Sequence, residues 1–123
     1  MHHFPPAAEM QFLVGDEISQ IRLDPYDIQF LFSSGTSMTV EWRIEHIDVG
    51  GVLHSHDCTA STGEAIYLHQ MLQQPVSAVD AEPLCLTLTF KTGAILRVFT
   101  ETGTYECGQI FPSKESGRGF IVF

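Results

Sequence analysis

Apolar and polar residues alternate along two stretches of the chain. In the first, Ile28, Phe30 and Phe32 fall on one parity, Ser33-Ser34-Gly35 interrupts, and Met38, Val40 and Trp42 resume it. A three-residue loop ending in glycine, a type I turn followed by a left-handed residue, pairs Phe32 with Thr36, Phe30 with Met38 and Ile28 with Val40. Directly opposed residues share a face, so this register gathers the large side chains, and a slip of one residue would separate them. The second stretch lies 58 positions on: Leu86, Leu88 and Phe90 alternate, Gly93 turns, and Leu96 and Val98 follow. The same turn logic pairs Leu88 with Leu96 and Leu86 with Val98.

The correspondence reaches beyond the hairpins. Residues 18–50 match 76–108 without a gap, with identities at Ser19/Ser77, Pro25/Pro83, Phe32/Phe90, Gly35/Gly93, Val40/Val98 and Gly50/Gly108. Alternation alone would not place both prolines and both hairpin glycines in one register, so the chain reads as a single domain built from an internal duplication. Each copy opens with a strand (Ile18–Leu23, then Val76–Val79) and a turn at Asp24-Pro25 or Glu82-Pro83. In the first copy the strand through Trp42 is expected to run on over Arg43–Val49 until Gly50-Gly51 stops it.

Between the copies the period changes. Ser61 and Glu64 have capping-box spacing, and Ala65, Leu68, His69 and Leu72 fall at helical intervals. This predicts a helix near 62–73, ended by Gln74-Pro75. Residues 1–11, with Pro5-Pro6, read as a flexible N-terminal arm. The closing Phe120–Phe123 reads as a strand tucked into a sheet. The expected fold is mainly β with some α: two antiparallel three-strand meanders related by a pseudo-twofold, forming a roll, sandwich or partly open barrel, with the short helix covering an edge or plugging an open end.

The repeated pattern apolar-x-Leu/Phe-x-Phe-x-x-Gly-x-x-Leu/Met-x-Val, with Tyr105-Glu106 after the second copy, resembles that of small bacterial proteins grouped as domains of unknown function. Phe90, Gly93, Leu96, Val98 and Tyr105-Glu106 carry the resemblance, which covers most of 12–123. Cys107-Gly108 departs from the aromatic or small polar residue that often follows Tyr-Glu in that grouping. The resemblance implies a small cytoplasmic β-rich domain and brings no established activity, so no catalytic residue is carried over.

Charge narrows the function classes. Fifteen acidic residues stand against six basic ones, a net charge of −9. Such a surface repels nucleic acid phosphate and anionic lipid, and it allows a basic protein partner without demanding one. No run of about 18 apolar residues is present to span a membrane. Three widely spaced cysteines, Cys58, Cys85 and Cys107, form no disulfide framework and fit a reduced cytoplasmic protein.

Two groups of residues carry candidate chemistry. In an extended chain His54 and His56 point to one side, and Asp57 or Cys58 could bend toward them, a donor set suited to zinc or another divalent first-row metal. Cys58 beside His56 is also a candidate nucleophile. Separately, Asp48 and Glu106 occupy matched places in the two copies, where two carboxylates could meet near the pseudo-twofold axis, with Tyr105 alongside. Trp42 is read mainly as core and secondarily as a ligand-stacking residue. Ile110 and Phe111 are candidates for a homodimer contact. Phosphate loops, nucleophile elbows and basic aromatic patches are absent from the sequence. The leading expectation is therefore a binding domain without a catalytic set, neutralising a basic partner as toxin-immunity proteins do. A metal-dependent protein centred on His54, His56 and Asp57, or a small-ligand barrel, is the alternative.

Overall fold

In a computed structural model, residues 3–60, 65–103 and 105–123 are described. They form ten strands: β1 (Ile18–Leu23), β2 (Ile28–Phe32), β3 (Ser37–Val40), β4 (Arg43–Ile47), β5 (Leu53–Asp57), β6 (Val76–Glu82), β7 (Cys85–Phe90), β8 (Ile95–Phe99), β9 (Gly108–Phe111) and β10 (Ile121–Val122). The fold is mainly β, with two five-stranded antiparallel sheets that do not close into a barrel.

Both hairpins take the expected register. Phe30 opposes Met38 and Ile28 opposes Val40, while Leu88 opposes Leu96 and Leu86 opposes Val98. The turns close alike: Gly35 N–H donates to Phe32 O at 3.0 Å and Gly93 N–H to Phe90 O at 2.8 Å. Both glycines lie at positive φ, +98° and +93°, a conformation that a Cβ disfavours. Even the irregularities repeat. The β1–β2 and β6–β7 pairings each slip at a serine, and Ser19 and Ser77 donate their hydroxyls to Leu31 O and Thr89 O at 3.1 Å.

The matching extends N-terminal to the expected repeat. A 3₁₀ turn over Ala7–Leu13 stands 58 positions before another over Ile66–Met71. After them Gly15 and Gln73 hold matching left-handed conformations, φ +86° and +62°. Gly15 N–H donates to Val76 O and Gln73 N–H to Ile18 O, each at 2.7 Å. The N-terminal segment, expected as a flexible arm, thus carries a 3₁₀ turn and is anchored at two buried side chains. Phe4 and Met10 are buried, Phe4 stacks on Phe123 with centroids 4.4 Å apart, and Phe4 N–H donates to Pro83 O. The helix near 62–73 is present as the 3₁₀ turn; its capping residues, Ser61 and Glu64, lie outside the described residues.

Strand continuity past Trp42 needs correction. The chain breaks at Glu41-Trp42, and β4 crosses to pair with β8 of the other half. Reciprocally, β9 crosses to pair with β3. The sheets are thus β1-β2-β3-β9-β10 and β6-β7-β8-β4-β5, each a three-strand meander completed by two strands from the other half. Phe30, Met38 and Ile110 of one sheet join Ile44, Leu88 and Phe90 of the other in one core cluster. Trp42 lies only partly buried at its margin, with the Arg43 guanidinium 5.5 Å from its ring centroid. Ile110, a candidate dimer contact, is fully buried, whereas Phe111 is exposed and stacks on Phe120.

Candidate functional site

The β4–β5 hairpin places the histidines. Alternation puts Ile44 and His46 of β4 on the face shared by His54 and His56 of β5, with His46 directly opposite His54. Tyr67 of the Ile66–Met71 turn lies over them. Its ring stacks on His54 at a centroid distance of 4.4 Å and on His46 at 5.7 Å, with interplanar angles of 16° and 6°. Asp48, at the hairpin end, accepts from His54 Nε2 at 3.0 Å and from Val52 N–H at 2.9 Å. These bonds hold the Asp48 carboxyl below its ordinary range.

His46 is fully buried, and neither ring nitrogen has a hydrogen-bond partner among the described residues; the Tyr67 hydroxyl is likewise unpaired. Burial lowers the His46 pKa, a charge on His54 lowers it further, and Asp48 opposes both weakly. The ring is thereby kept neutral. Stacked rings offer their faces to one another, whereas imidazole binds a metal in the ring plane. Asp57 points away from this face, and its Oδ1 accepts from Thr59 N–H and Oγ–H at 2.9 and 2.6 Å. The structure therefore brings His54 and His56 to one face without Asp57. Among the described residues no group of three His, Cys, Asp or Glu is arranged to hold a metal ion. Cys58 is buried, and burial pushes its thiol up to about 11, with Asp57 and Asp27 adding to the effect. At neutral pH it is a protonated thiol, not a nucleophile.

Asp48 and Glu106 are not brought together as a pair. Glu106 belongs to a second cluster, at the end where β3 leaves its sheet. Glu41 N–H donates to Cys107 O at 2.8 Å, which draws the Tyr105-Glu106 segment against Glu41. On the same side Asp24 N–H donates to Asp27 O and closes the turn between β1 and β2. The Glu41 carboxyl is raised above its ordinary value by partial burial, then by Glu106 and Asp27. Asp27 is raised by burial and by the adjacent Asp24 carboxyl, against a weaker opposing effect of Arg22. Asp27 Oδ1 is buried and without a partner among the described residues. Beside these acids in the chain stand Tyr26 and Tyr105, 64% and 84% exposed.

The two ends of the molecule differ here. The residues 58 positions from Asp24, Asp27 and Glu41 are Glu82, Cys85 and Phe99. At that end Arg43 lies over Phe99, and Arg97 bonds Glu45 at 3.5 Å. Asp24, Asp27, Glu41, Tyr26 and Tyr67 were not singled out from the sequence. Asking where the two copies differ in charge would have found Asp27 and Glu41, but not Asp24, whose counterpart Glu82 is also acidic. Nothing local marks Tyr67, which gains its role from packing. No family model, curated protein or solved structure matches the chain.

Proposed function

We propose that the protein is an acidic interaction domain that recognises a basic protein partner through the end carrying Asp24, Asp27, Glu41 and Glu106. One observation carries this reading: Asp27 and Glu41, the carboxyls raised by crowding, have Cys85 and Phe99 in their matching places, while Asp24 and Glu106 are matched by Glu82 and Asp48. A requirement of the fold would have appeared twice. Like charges held together raise the free energy of the unbound protein, and cations from a partner relieve that repulsion. Exposed Tyr26 and Tyr105 add ring faces for lysine or arginine. The net charge of −9 steers such a partner toward the molecule. An immunity-like role, in which this surface covers a basic toxin, fits the same chemistry. The resemblance to small bacterial proteins and the three free cysteines support a bacterial, reducing, cytoplasmic setting. No helix among the described residues is long and apolar enough to cross a membrane.

Affinity capture with the whole protein tests the reading, with the Asp27→Asn, Glu41→Gln, Glu106→Gln variant alongside. The expected result is a basic partner retained at about 50 mM salt, released near about 500 mM, and not held by the variant. Capture that is indifferent to salt, or equal for the variant, contradicts it.

A further inference from the structure

Alternation turns Arg43, Glu45 and Ile47 of β4 and Ile95, Arg97 and Phe99 of β8 away from the core, while the residues between them are buried. On that outward face they stand in cross-strand rows. Ile47 lies beside Ile95, Glu45 beside Arg97, and the Arg43 guanidinium is 5.4 Å from the Phe99 ring centroid. Leu53 of β5, 54% exposed, extends the isoleucine row. Arg97 Nη1 lies 3.5 Å from Glu45 Oε1, and these two side chains keep 37% and 22% of their surface open. Cys58 and Ala65, which flank the undescribed residues 61–64, belong to the core cluster on the other side of this sheet. The fold does not require such a face. The residues 58 positions before Ile95, Arg97 and Phe99 are Ser37, Thr39 and Glu41, so the matching strand of the other sheet is polar there. Charge balances too: over β5, β4, β8 and β7 the outward Glu45 and Asp57 offset Arg43 and Arg97, and the net −9 lies elsewhere.

We propose that this face binds a second copy of the chain, about a twofold axis running parallel to the strands between β4 and β8. Such an axis sets β4 against the partner's β8, and β8 against the partner's β4. Each row then meets its own reverse. Ile47 packs on the partner's Ile95, Arg43 reaches the partner's Phe99 ring, and the two Glu45–Arg97 pairs form a square of alternating charge. Sheets pack in this way about 10 Å apart with strands within about 30° of alignment. The order of charges selects the occupant, because the central row is its own complement, and a face without net charge lets two acidic molecules approach. Asp27 and Glu41 belong to the other sheet's end and stay open, so the inference goes beyond the basic-partner reading and does not depend on it. Four strands about 4.8 Å apart and five residues at about 3.3 Å each give a footprint of about 300 Å². A standard interface buries about 800 Å² per partner, so this dimer is a reversible one, with a dissociation constant on the order of 10–100 µM.

Sedimentation of the intact protein from about 5 to about 500 µM, at about 150 mM salt to screen the net charge, tests the proposal. Monomer is expected to convert to dimer across this range. Ile95→Ser, which installs the residue type of the other sheet, should weaken the dimer at least about tenfold, as should Ile47→Thr. Glu45→Arg and Arg97→Glu should each be monomeric alone, with near-UV circular dichroism confirming that they fold. Their equimolar mixture should form a heterodimer, because the substituted position 45 of one chain then faces the substituted position 97 of the other. A wild type that stays monomeric at about 500 µM, a dimer that both isoleucine variants leave unchanged, or folded charge variants whose mixture stays monomeric would overturn the proposal. A dimer abolished by Phe111→Ser instead assigns association to β9 and overturns it as well.

Discussion

His46 and Gln73 each hold a conformation or environment that their own chemistry resists. His46 is buried with both nitrogens unpaired, and its pKa lies below the ordinary 6.5. Below pH about 6.5 the unfolded chain binds a proton that the folded chain refuses, so stability present above that pH is lost as the pH falls. The loss grows as the pH falls further. Glu41 and Asp27, whose carboxyls are raised, act in the opposite direction at lower pH. Comparing His46→Leu with the wild type in urea melts at pH about 7.5 and about 5 isolates the histidine. The variant should lose less stability on acidification; an equal loss would show that His46 is not the titrating group. Gln73 is the one non-glycine at positive φ among the described residues, at the place where the other half has Gly15. Gln73→Gly should stabilise the protein by about 0.5 kcal/mol, because relief of the left-handed strain slightly exceeds the added chain entropy. Chemical denaturation checks the sign. The burial of His46 follows the alternation from Ile44 and was legible in that sense, but its stacking on Tyr67 depends on a segment some twenty residues away.

Local rules wrote the hairpins plainly. Turn glycines and alternation act over a few residues, and the observed pairings of Phe30 with Met38 and Leu88 with Leu96 follow from them. Exchange of β4 and β9 between the sheets was not legible, because a break at Glu41-Trp42 and pairing across the chain decide it. The N-terminal turn was obscured by Pro5-Pro6, although Met10 and Leu13 match the buried Leu68 and Met71. The crossing of β9 also explains Gly108. A Cβ there would lie 2.2 Å from Thr39 O and 2.5 Å from Phe123 Cζ, so only glycine lets β3, β9 and the C-terminal ring approach. Phe123 closes this junction: it is fully buried and stacks on Phe4, tying both chain ends to β9. Phe123→Ala should cost about 3–5 kcal/mol in thermal or urea unfolding, with the N-terminal segment gaining hydrogen exchange. A loss below about 1 kcal/mol would mean that the junction does not secure the two sheets.

For the whole molecule, near-symmetry of backbone combines with asymmetry of charge. The repeat makes the fold, and the departures from it hold the candidate site: Asp27 and Glu41 at one end, where the other has Cys85 and Phe99. The candidate metal set did not assemble, because alternation sends Asp57 to the opposite face from His54 and His56. Glu106 acts with Asp27 on the Glu41 carboxyl. If the crowded carboxylates serve a basic partner, they should stabilise the protein only when cations are supplied. The direct test is thermal unfolding with and without hexalysine at low salt. Three proteins are compared: wild type; Asp27→Asn, Glu41→Gln, Glu106→Gln; and a charge-matched control neutralised at exposed Glu9, Asp80 and Glu115. Hexalysine should raise the melting temperature of wild type and control by about 4 °C, corresponding to about 1 kcal/mol, and leave the acidic-end variant nearly unmoved. Equal shifts in all three proteins, or none, would contradict recognition of a basic partner at this end.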